Sequence, residues 1–348
     1  VMADIVVTGL YNTNTAETCE EILKDCGCQI IFVDSYEQYK KIASIKKNLP
    51  ALKHIVAFGD FTTDINLNYI KFKELVDRGK ASSSQTKLLL SERCNNIKAG
   101  KCAVIVYTSG TTGVSKGVML SHDNITFLIE IVKSFNFEYM LKIVSYLPLS
   151  HIAGMFLDVF IIFALRGQIY FTDKDALKGS LSFYIKDVRP TFFLAVPRIY
   201  EKIADEITKK VSNSNILAKL IFEWAHKTGS KESVEVIKGK HPSIKYKIAK
   251  KLIFDKIKES IGFDMVRMFS FGAAPIKKST RLFFESIGIP LNNLYGLSET
   301  TGMLSGLKQS EMSEMIIHSC GRIFEGCEVI MGEENEILFK GRTCFMGY

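Results

Sequence analysis

The sequence predicts an α/β protein built from two doubly wound lobes, each with a parallel sheet, followed by a smaller antiparallel β segment. Three observations predict it. Short apolar runs rich in β-branched residues alternate with helix-length amphipathic segments, which is the pattern of strand–helix–strand units. Several of those runs break abruptly into small and polar residues. After Cys320 the pattern changes to short runs separated by glycine. A chain of 348 residues can bury one large core or two ordinary ones, and 47% hydrophobic with 24% charged residues is an ordinary globular balance.

In the first lobe, taken as residues 1–143, helical spacing over 16–26 and 36–47 alternates with strand-like runs at 29–33 and 54–58. Residues 61–100 are polar, with apolar anchors around 69–76, and are expected to carry a helix and surface loops. The run 102–107 reads as a buried strand and 118–120 as a short one. Ser121, His122, Asp123 and Asn124 then supply capping chemistry for a helix over 125–134. In the second lobe, taken as 144–300, strands are expected at 144–149, 167–171, 191–196, 265–271 and 291–294. Helices are expected at 152–165, 180–188, 198–227, 244–261 and 277–287, with Pro197 at a helix start where its missing N–H costs nothing. Short antiparallel strands near 327–330 and 336–339 belong to the third segment, 301–348.

Charge and cysteine usage narrow the class. The net charge of +8 is the difference between 45 basic and 37 acidic residues, and much of the excess lies between Lys202 and Lys258. There lysines alternate with Ile, Leu and Phe, which suits a solvated helix face; attraction to an anionic membrane is the alternative. Basic and aromatic residues are not interleaved as in nucleic-acid binding, so no nucleic-acid partner is expected. Eight cysteines form no disulfide framework, and Cys26-Gly-Cys28 lacks zinc-site spacing, which points to a reducing, cytoplasmic setting. The longest apolar stretch, 152–165, contains Asp158 and falls short of the ~20 residues a membrane span needs, so peripheral contact with an intracellular membrane is the most the sequence allows. No secretory leader is visible, and the ends at Val1 and Tyr348 read as those of a piece of a longer chain.

Chemistry concentrates after strand ends. Following the run 102–107, the chain offers hydroxyls at Thr108, Ser109, Thr111 and Thr112, glycines at Gly110, Gly113 and Gly117, and a cation at Lys116. Glycines allow backbone N–H groups to turn inward, hydroxyls donate, and lysine supplies a point charge, which together suit a polyphosphate. A plain polar surface loop is the competing reading. Lys116 is followed by Gly117, so the Walker order is absent. Three further strand-end loops qualify, since open α/β sheets bind ligands outside the carboxyl ends of their strands. They are Ser150-His151, Gly272-Ala-Ala-Pro275, and Tyr295-Gly-Leu-Ser-Glu-Thr-Thr-Gly302. The last combines a ring that can stack on a purine, a carboxylate for Mg²⁺ and donors for phosphate. Each loop taken alone could equally be a capped helix start or a polar turn.

Together these segments resemble, in order and spacing, the motifs of the adenylate-forming superfamily of acyl-CoA synthetases, luciferases and peptide-synthetase adenylation domains. Ser145-Tyr-Leu-Pro-Leu-Ser-His-Ile-Ala153, Asp175-Ala-Leu-Lys-Gly-Ser-Leu181, Val196-Pro-Arg-Ile-Tyr-Glu-Lys202 and Gly341-Arg-Thr-Cys-Phe-Met-Gly-Tyr348 are similar to the bubblegum type of long-chain fatty acid–CoA ligases. The resemblance implies the large domain of that superfamily, with the start of a small β-barrel and without the C-terminal domain. It implies that Thr108, Ser109, Gly110, Thr111, Thr112, Gly113 and Lys116 hold ATP phosphates, and that Gly272, Ala273, Ala274 and Tyr295 line the adenine while Gly296 permits close approach. Glu299 would bind Mg²⁺, Thr300 the α-phosphate, and His151 would stand at the mouth of the acyl pocket. Lys116, Thr300, Glu299 and His151 are thus the implied catalytic set, with fatty acid, ATP and CoA as reactants. Helix 152–165 suits a pocket wall or packed core. Ser115 replaces the family's usual proline and Asn335 its usual glycine. An aryl-acid or luciferin-type adenylating enzyme, and a non-catalytic nucleotide- or lipid-binding relative, are the alternatives.

Overall fold

The computed structural model describes residues 3–61, 68–109, 115–137, 140–308, 311 and 319–348. Spatial closeness of Cα positions groups the chain into two compact units, 1–123 with 345–348, and 124–344.

The first unit holds two three-stranded sheets. In one, the strands Ile30–Val33, His54–Ala57 and Ile70–Lys71 run parallel. Alternating helices return the chain: Ala16–Asp25, capped by the Thr15 hydroxyl, and Tyr36–Ile45, capped by Ser35. Cys19, Leu23, Tyr39, Ile42 and Ile55 close the core between them. In the other sheet, Val7–Thr8 pairs parallel with Cys102–Ser109, which pairs antiparallel with Ser115–Ser121. The expected short strand at 118–120 is therefore seven residues long and forms the return arm of a hairpin. The polar stretch before it carries two helices rather than one, Phe72–Lys80 and Ser84–Asn95.

In the second unit, Phe192–Ala195, Met268–Phe271 and Leu291–Asn293 form a parallel sheet in the order 291–293, 268–271, 192–195. The parallel pair Lys142–Ser145 and Gln168–Phe171 lies beside it. Lys142 bonds to Thr191 through both its N–H and its carbonyl, and the Tyr146 hydroxyl donates to the Leu194 carbonyl at 2.7 Å. All these strands run in one sense. Helices Leu181–Val188, Pro197–Ser212, Ile216–Ile237 and Lys278–Ser286 cover them around a core that includes Tyr200, Phe254, Phe271 and Phe284.

Three expected elements change here. The strand over 144–149 runs instead over Lys142–Ser145, because Pro148 lacks a ladder donor and the chain turns there, with the His151 N–H donating to the Pro148 carbonyl. The helix over 198–227 is two helices, broken at Asn213 and restarted by Asn215, whose side chain accepts from the Ala218 N–H at 2.8 Å. Helix 152–165 contains a π-helical turn over Phe156–Ile161. Antiparallel pieces complete the unit: Ser305–Gly306 with Arg322–Ile323, and Cys327–Met331 with Ile337–Gly341. The latter hairpin turns through Glu334 and Asn335, both left-handed (φ 57° and 64°), which explains why asparagine can stand where the family has glycine.

The expected divisions at 143 and 300 do not coincide with these units. Within the second unit, Asn124 donates to the carbonyls of Arg342 and Cys344 at 2.7 and 2.9 Å, and Phe135 packs on Phe324.

Candidate functional site

The phosphate-type segment in the first unit is the end of the hairpin. Tyr107 lies opposite Gly117, Thr108 opposite Lys116 and Ser109 opposite Ser115. Gly110, Thr111, Thr112 and Gly113, and the side chain of Ser109, lie outside the described residues. Gly117 is fixed by packing: a Cβ there would meet Ile105 Cγ2 at 3.0 Å and the Tyr107 ring at 3.1 Å. The Tyr107 hydroxyl donates to Asp25 at 2.5 Å, and burial plus that bond push the phenol well above its ordinary range. Thr108 is half-buried and Lys116 exposed. Residues 346–347 pair with Met119, and the Lys116 ammonium stands 5.2 Å from the centroid of the Tyr348 ring. That cation–π contact contributes about 0.5–1 kcal/mol at an exposed position and gives the lysine a preferred direction. Nothing in spacing alone brings residue 348 to residue 116, so this contact was not legible before the fold.

The other candidate residues come together in the second unit, at the carboxyl ends of its parallel strands. Phe271 and Asn293 are register partners, so Gly272 and Leu294 leave the sheet side by side. A Cβ on Gly272 would lie 2.8 Å from the Leu294 carbonyl oxygen. Ala273 follows with φ 66°, a left-handed strain that a methyl side chain tolerates poorly, and Ala273 and Ala274 present a small, exposed surface beside Tyr295. Tyr295 is half-buried and tied through its main chain to Leu304 and Ser305.

Gly296 is closely packed against its own loop. A Cβ there would lie 2.3 Å from the Gly302 carbonyl oxygen and 2.7 Å from Met303 Cα, so what approaches it is the chain's own backbone. Thr300 is enclosed within this loop. Its side chain has no exposure; its hydroxyl accepts from the Leu297 N–H at 2.8 Å and stands 3.0 Å from the Leu297 carbonyl, which it can donate to. A hydroxyl held this way staples the turn Ser298–Thr300. Thr301, also fully buried and at φ 57°, donates to the Thr343 carbonyl at 2.7 Å. Glu299 between these anchors is half-buried.

The same edge carries His151. Gly302 sits under Ile152, where a Cβ would meet Ile152 Cγ1 at 3.2 Å, so the loop ending at Gly302 touches the helix that His151 opens. His151 is its N-cap: Nδ1 accepts from the Ala153 N–H at 3.2 Å, which leaves the proton on Nε2. Burial lowers its pKa, so it is neutral at physiological pH and can donate from Nε2. Gly154 lets the helix start tuck beneath Pro148, whose carbonyl oxygen would lie 2.4 Å from any Cβ.

One residue at this edge had no expected role. Asp158, in the π-helical turn, is 5% exposed and accepts from the Ser145 hydroxyl at 2.5 Å. Burial raises its pKa to about 6, against the lowering influence of Ser145. A lone carboxylate inside an otherwise apolar run was the signal available in the sequence.

Within the second unit the arrangement offers small residues, an aromatic ring, a half-buried carboxylate and a neutral imidazole; the first unit, taken by itself, carries the phosphate-type hairpin. A family model described as AMP-binding enzyme matches residues 1–348. The chain belongs to the AMP-binding enzyme family. Among its similar proteins are long-chain-fatty-acid–CoA ligases ACSBG2 of Xenopus laevis, 36% identical over 100% of this chain and 48% of the relative, and of Homo sapiens, 38% identical over 100% and 53%. The long-chain-fatty-acid–CoA ligase heimdall of Drosophila melanogaster is 34% identical over 99% and 52%. The chain spans about half the length of these relatives. Its adenylate-forming fold is shared with the anthranilate CoA ligase AuaEII in complex with anthranoyl-AMP (TM-score 0.64, 15% identity, 98% of this chain and 55% of that one). It is shared too with the long-chain-fatty-acid–CoA ligase FadD1 from Archaeoglobus fulgidus (TM-score 0.63, 17% identity, 97% and 58%).

Among the described residues no cluster of three or more His, Cys, Asp or Glu side chains could hold a metal by itself, and no helix is long and apolar enough to cross a membrane. Mg²⁺ usually keeps several waters and takes one or two carboxylates together with substrate phosphates, so a single placed carboxylate such as Glu299 fits its requirements.

Proposed function

We propose that this AMP-binding chain carries the nucleotide and acyl sites of an enzyme that uses ATP to activate a long-chain fatty acid, first as acyl-adenylate and then as acyl-CoA. The observation that carries this reading is the convergence of His151, Gly272 to Ala274, Tyr295 and Glu299 on one sheet edge, in a family member whose relatives are named long-chain-fatty-acid–CoA ligases.

In this reading Ala273, Ala274 and the Tyr295 ring suit the adenine, and Thr108 and Lys116 of the first unit's hairpin are the donors suited to phosphates. Glu299 would hold Mg²⁺, which supplies charge neutralisation on the phosphates. One carboxylate oxygen of the fatty acid attacks the α-phosphorus, the bond to the bridging oxygen breaks, and pyrophosphate leaves with the electron pair. His151, neutral and carrying its proton on Nε2, orients the attacking carboxylate by donating to its other oxygen. The CoA sulfur then attacks the acyl carbonyl, losing its proton, and AMP leaves. Thr300 acts by holding the loop that presents Glu299. The helix from Ile152, lined by Met155 and Phe156, suits the acyl wall, where each buried CH₂ contributes roughly 0.8 kcal/mol. A reducing, intracellular setting with peripheral membrane contact accompanies this proposal, and all eight cysteines are free thiols.

The test is ATP–pyrophosphate exchange by the complete gene product. Exchange should require a fatty acid, rise with chain length, and fall at least a hundredfold in Lys116→Met, the scale of a lost charge-stabilising group. Exchange supported only by aromatic acids would move the assignment to an aryl-acid enzyme, and none with any carboxylate would end it.

A further inference from the structure

The carboxyl end of the first unit's opening helix carries a pair of thiols that the nucleotide chemistry does not use. Helix Ala16–Asp25 ends at Cys26 (φ −81°), and Gly27 follows in the left-handed region (φ 58°). The Gly27 N–H donates to the Lys24 carbonyl at 3.2 Å and the Cys28 N–H to the Leu23 carbonyl at 3.0 Å, so this helix end is locked as a Schellman turn. A turn that tight brings the Cα atoms of Cys26 and Cys28 to about 5.5 Å, inside the span a disulfide bridges. The two thiols stand within hydrogen-bonding reach of each other, and the Cys28 sulfur lies 3.4 Å from the Ile30 carbonyl oxygen. Both are half-buried, and a Cβ on Gly27 would meet nothing within 4 Å, so solvent reaches the turn between them. The Tyr107 phenol, which donates to Asp25 at 2.5 Å, also reaches the Cys26 sulfur. Tyr107 is the register partner of Gly117, so the thiols lie beside the first strand of the phosphate-type hairpin.

We propose that Cys26 and Cys28 form a reversible thiol–disulfide site that reacts with a low-molecular-weight disulfide of the glutathione type. The Cys26 thiolate attacks one sulfur of the small disulfide. A mixed disulfide forms at Cys26, and the other half leaves as a thiolate, which takes up a proton. The Cys28 thiol then loses its proton and attacks the Cys26 sulfur, and the second half leaves. Two protein thiols are oxidised to one disulfide while one small disulfide is reduced to two thiols. The surroundings assign the order. A hydrogen bond from the Cys28 thiol holds the Cys26 thiol down to about 7 against burial, which raises it, and the Tyr107 bond assists. The same bond pushes Cys28 well above its ordinary range, so Cys26 is the attacking sulfur and Cys28 the resolving one. Burial instead raises Cys19 and Cys102, two other thiols of this unit. A metal does not suit the pair, because among the described residues no third His, Cys, Asp or Glu side chain completes a site. A ring closed across so few residues is strained, which keeps such a disulfide easily reduced.

The experiment is oxidation of the purified, reduced full chain with oxidised glutathione, followed by alkylation of the remaining thiols and tryptic mass mapping. Cleavage after Lys24 and Lys40 releases residues 25–40, in which Cys26 and Cys28 are the only thiols. That peptide should escape alkylation and become lighter by two hydrogens, and dithiothreitol should restore it. Cys28→Ala should stop the reaction at a glutathione adduct on Cys26, whereas Cys26→Ala should leave Cys28 largely unmodified. Iodoacetamide alkylation of Cys26 should have its pH midpoint near 7 in the parent. In Cys28→Ala the midpoint should rise toward about 8.5, and the rate at pH 7 should fall about threefold, because a more basic thiolate is scarcer but more nucleophilic. Unchanged circular dichroism and melting verify that the variants fold. A peptide that stays reduced, a bridge from either residue to another cysteine, a parent midpoint above about pH 8, or adducts forming equally on both single variants would each overturn the proposal.

Discussion

The hairpin of residues 102–121 and the loop of residues 294–305 both carry glycine and threonine next to a charged side chain, yet they use them differently. In the hairpin, Gly117 faces the movable ends of side chains, Ile105 and Tyr107, and the charged Lys116 reaches outward over an aromatic ring. In the loop, Gly296 faces main chain, and both threonine hydroxyls are held by main-chain carbonyls or N–H groups. The lesson is that one composition can serve two ends. The hairpin leaves its described lysine exposed, while the loop commits both threonine hydroxyls beside Glu299 to main-chain groups.

The sharpest way to break that contrast is Gly296→Ala. Its methyl would enter backbone at 2.3 Å, which cannot give way without rebuilding the loop. We expect a loss of about 3 kcal/mol or more by urea unfolding, at the upper end of overpacking effects. A loss below ~1 kcal/mol would show the loop to be pliable and remove the contrast.

Next in size is Asp158→Asn, at the helix beside this loop. The folded-state pKa of about 6 lies above the unfolded value, so the stability this group contributes is complete at low pH and is lost as pH rises through about 6. The asparagine variant should match the parent near pH 4 and exceed it by about 2–3 kcal/mol at pH 8, one pKa unit being about 1.4 kcal/mol. Melting curves across that range measure it, and a constant difference would mean the carboxylate does not titrate there.

Thr300 separates a staple from a ligand. Thr300→Val removes both bonds to Leu297 and should cost about 1–2 kcal/mol, whereas Thr300→Ser keeps them and should retain stability and pyrophosphate exchange alike. If the valine variant melts like the parent but loses exchange, the hydroxyl serves the phosphate after all. Smallest is Gly117→Ala, where the neighbours at 3.0–3.1 Å are side-chain atoms that can shift; about 1 kcal/mol is expected. A cost equal to that of Gly296→Ala would erase the difference between the two regions.

Much of this was legible before any coordinates. Alternation of β-branched runs and amphipathic segments marked parallel α/β architecture, since each strand must bury both faces and each helix one. The strand-end positions of Gly272 and Tyr295 followed from where those runs stopped, whereas His151 lies six residues past the strand that ends at Ser145, as the cap of the next helix. Element ends were less legible. The break at Asn213 and the second helix before residue 100 depend on local capping that competes weakly with propensity. The long return strand 115–121 was hidden because Ser115, Lys116 and Gly117 are poor strand formers, held extended by pairing with 102–109.

What the sequence determined by itself was the set of chemical groups and the strand ends that carry them, because periodicity and turn chemistry act over a few residues. Only the tertiary structure decided which groups remain available: Lys116 points outward over Tyr348, whereas Thr300 is enclosed and Gly296 lies against its own loop. The physical reason is that a polar group's partner is fixed by packing across long sequence separations, and a buried hydroxyl takes the nearest main-chain partner before it can serve any ligand.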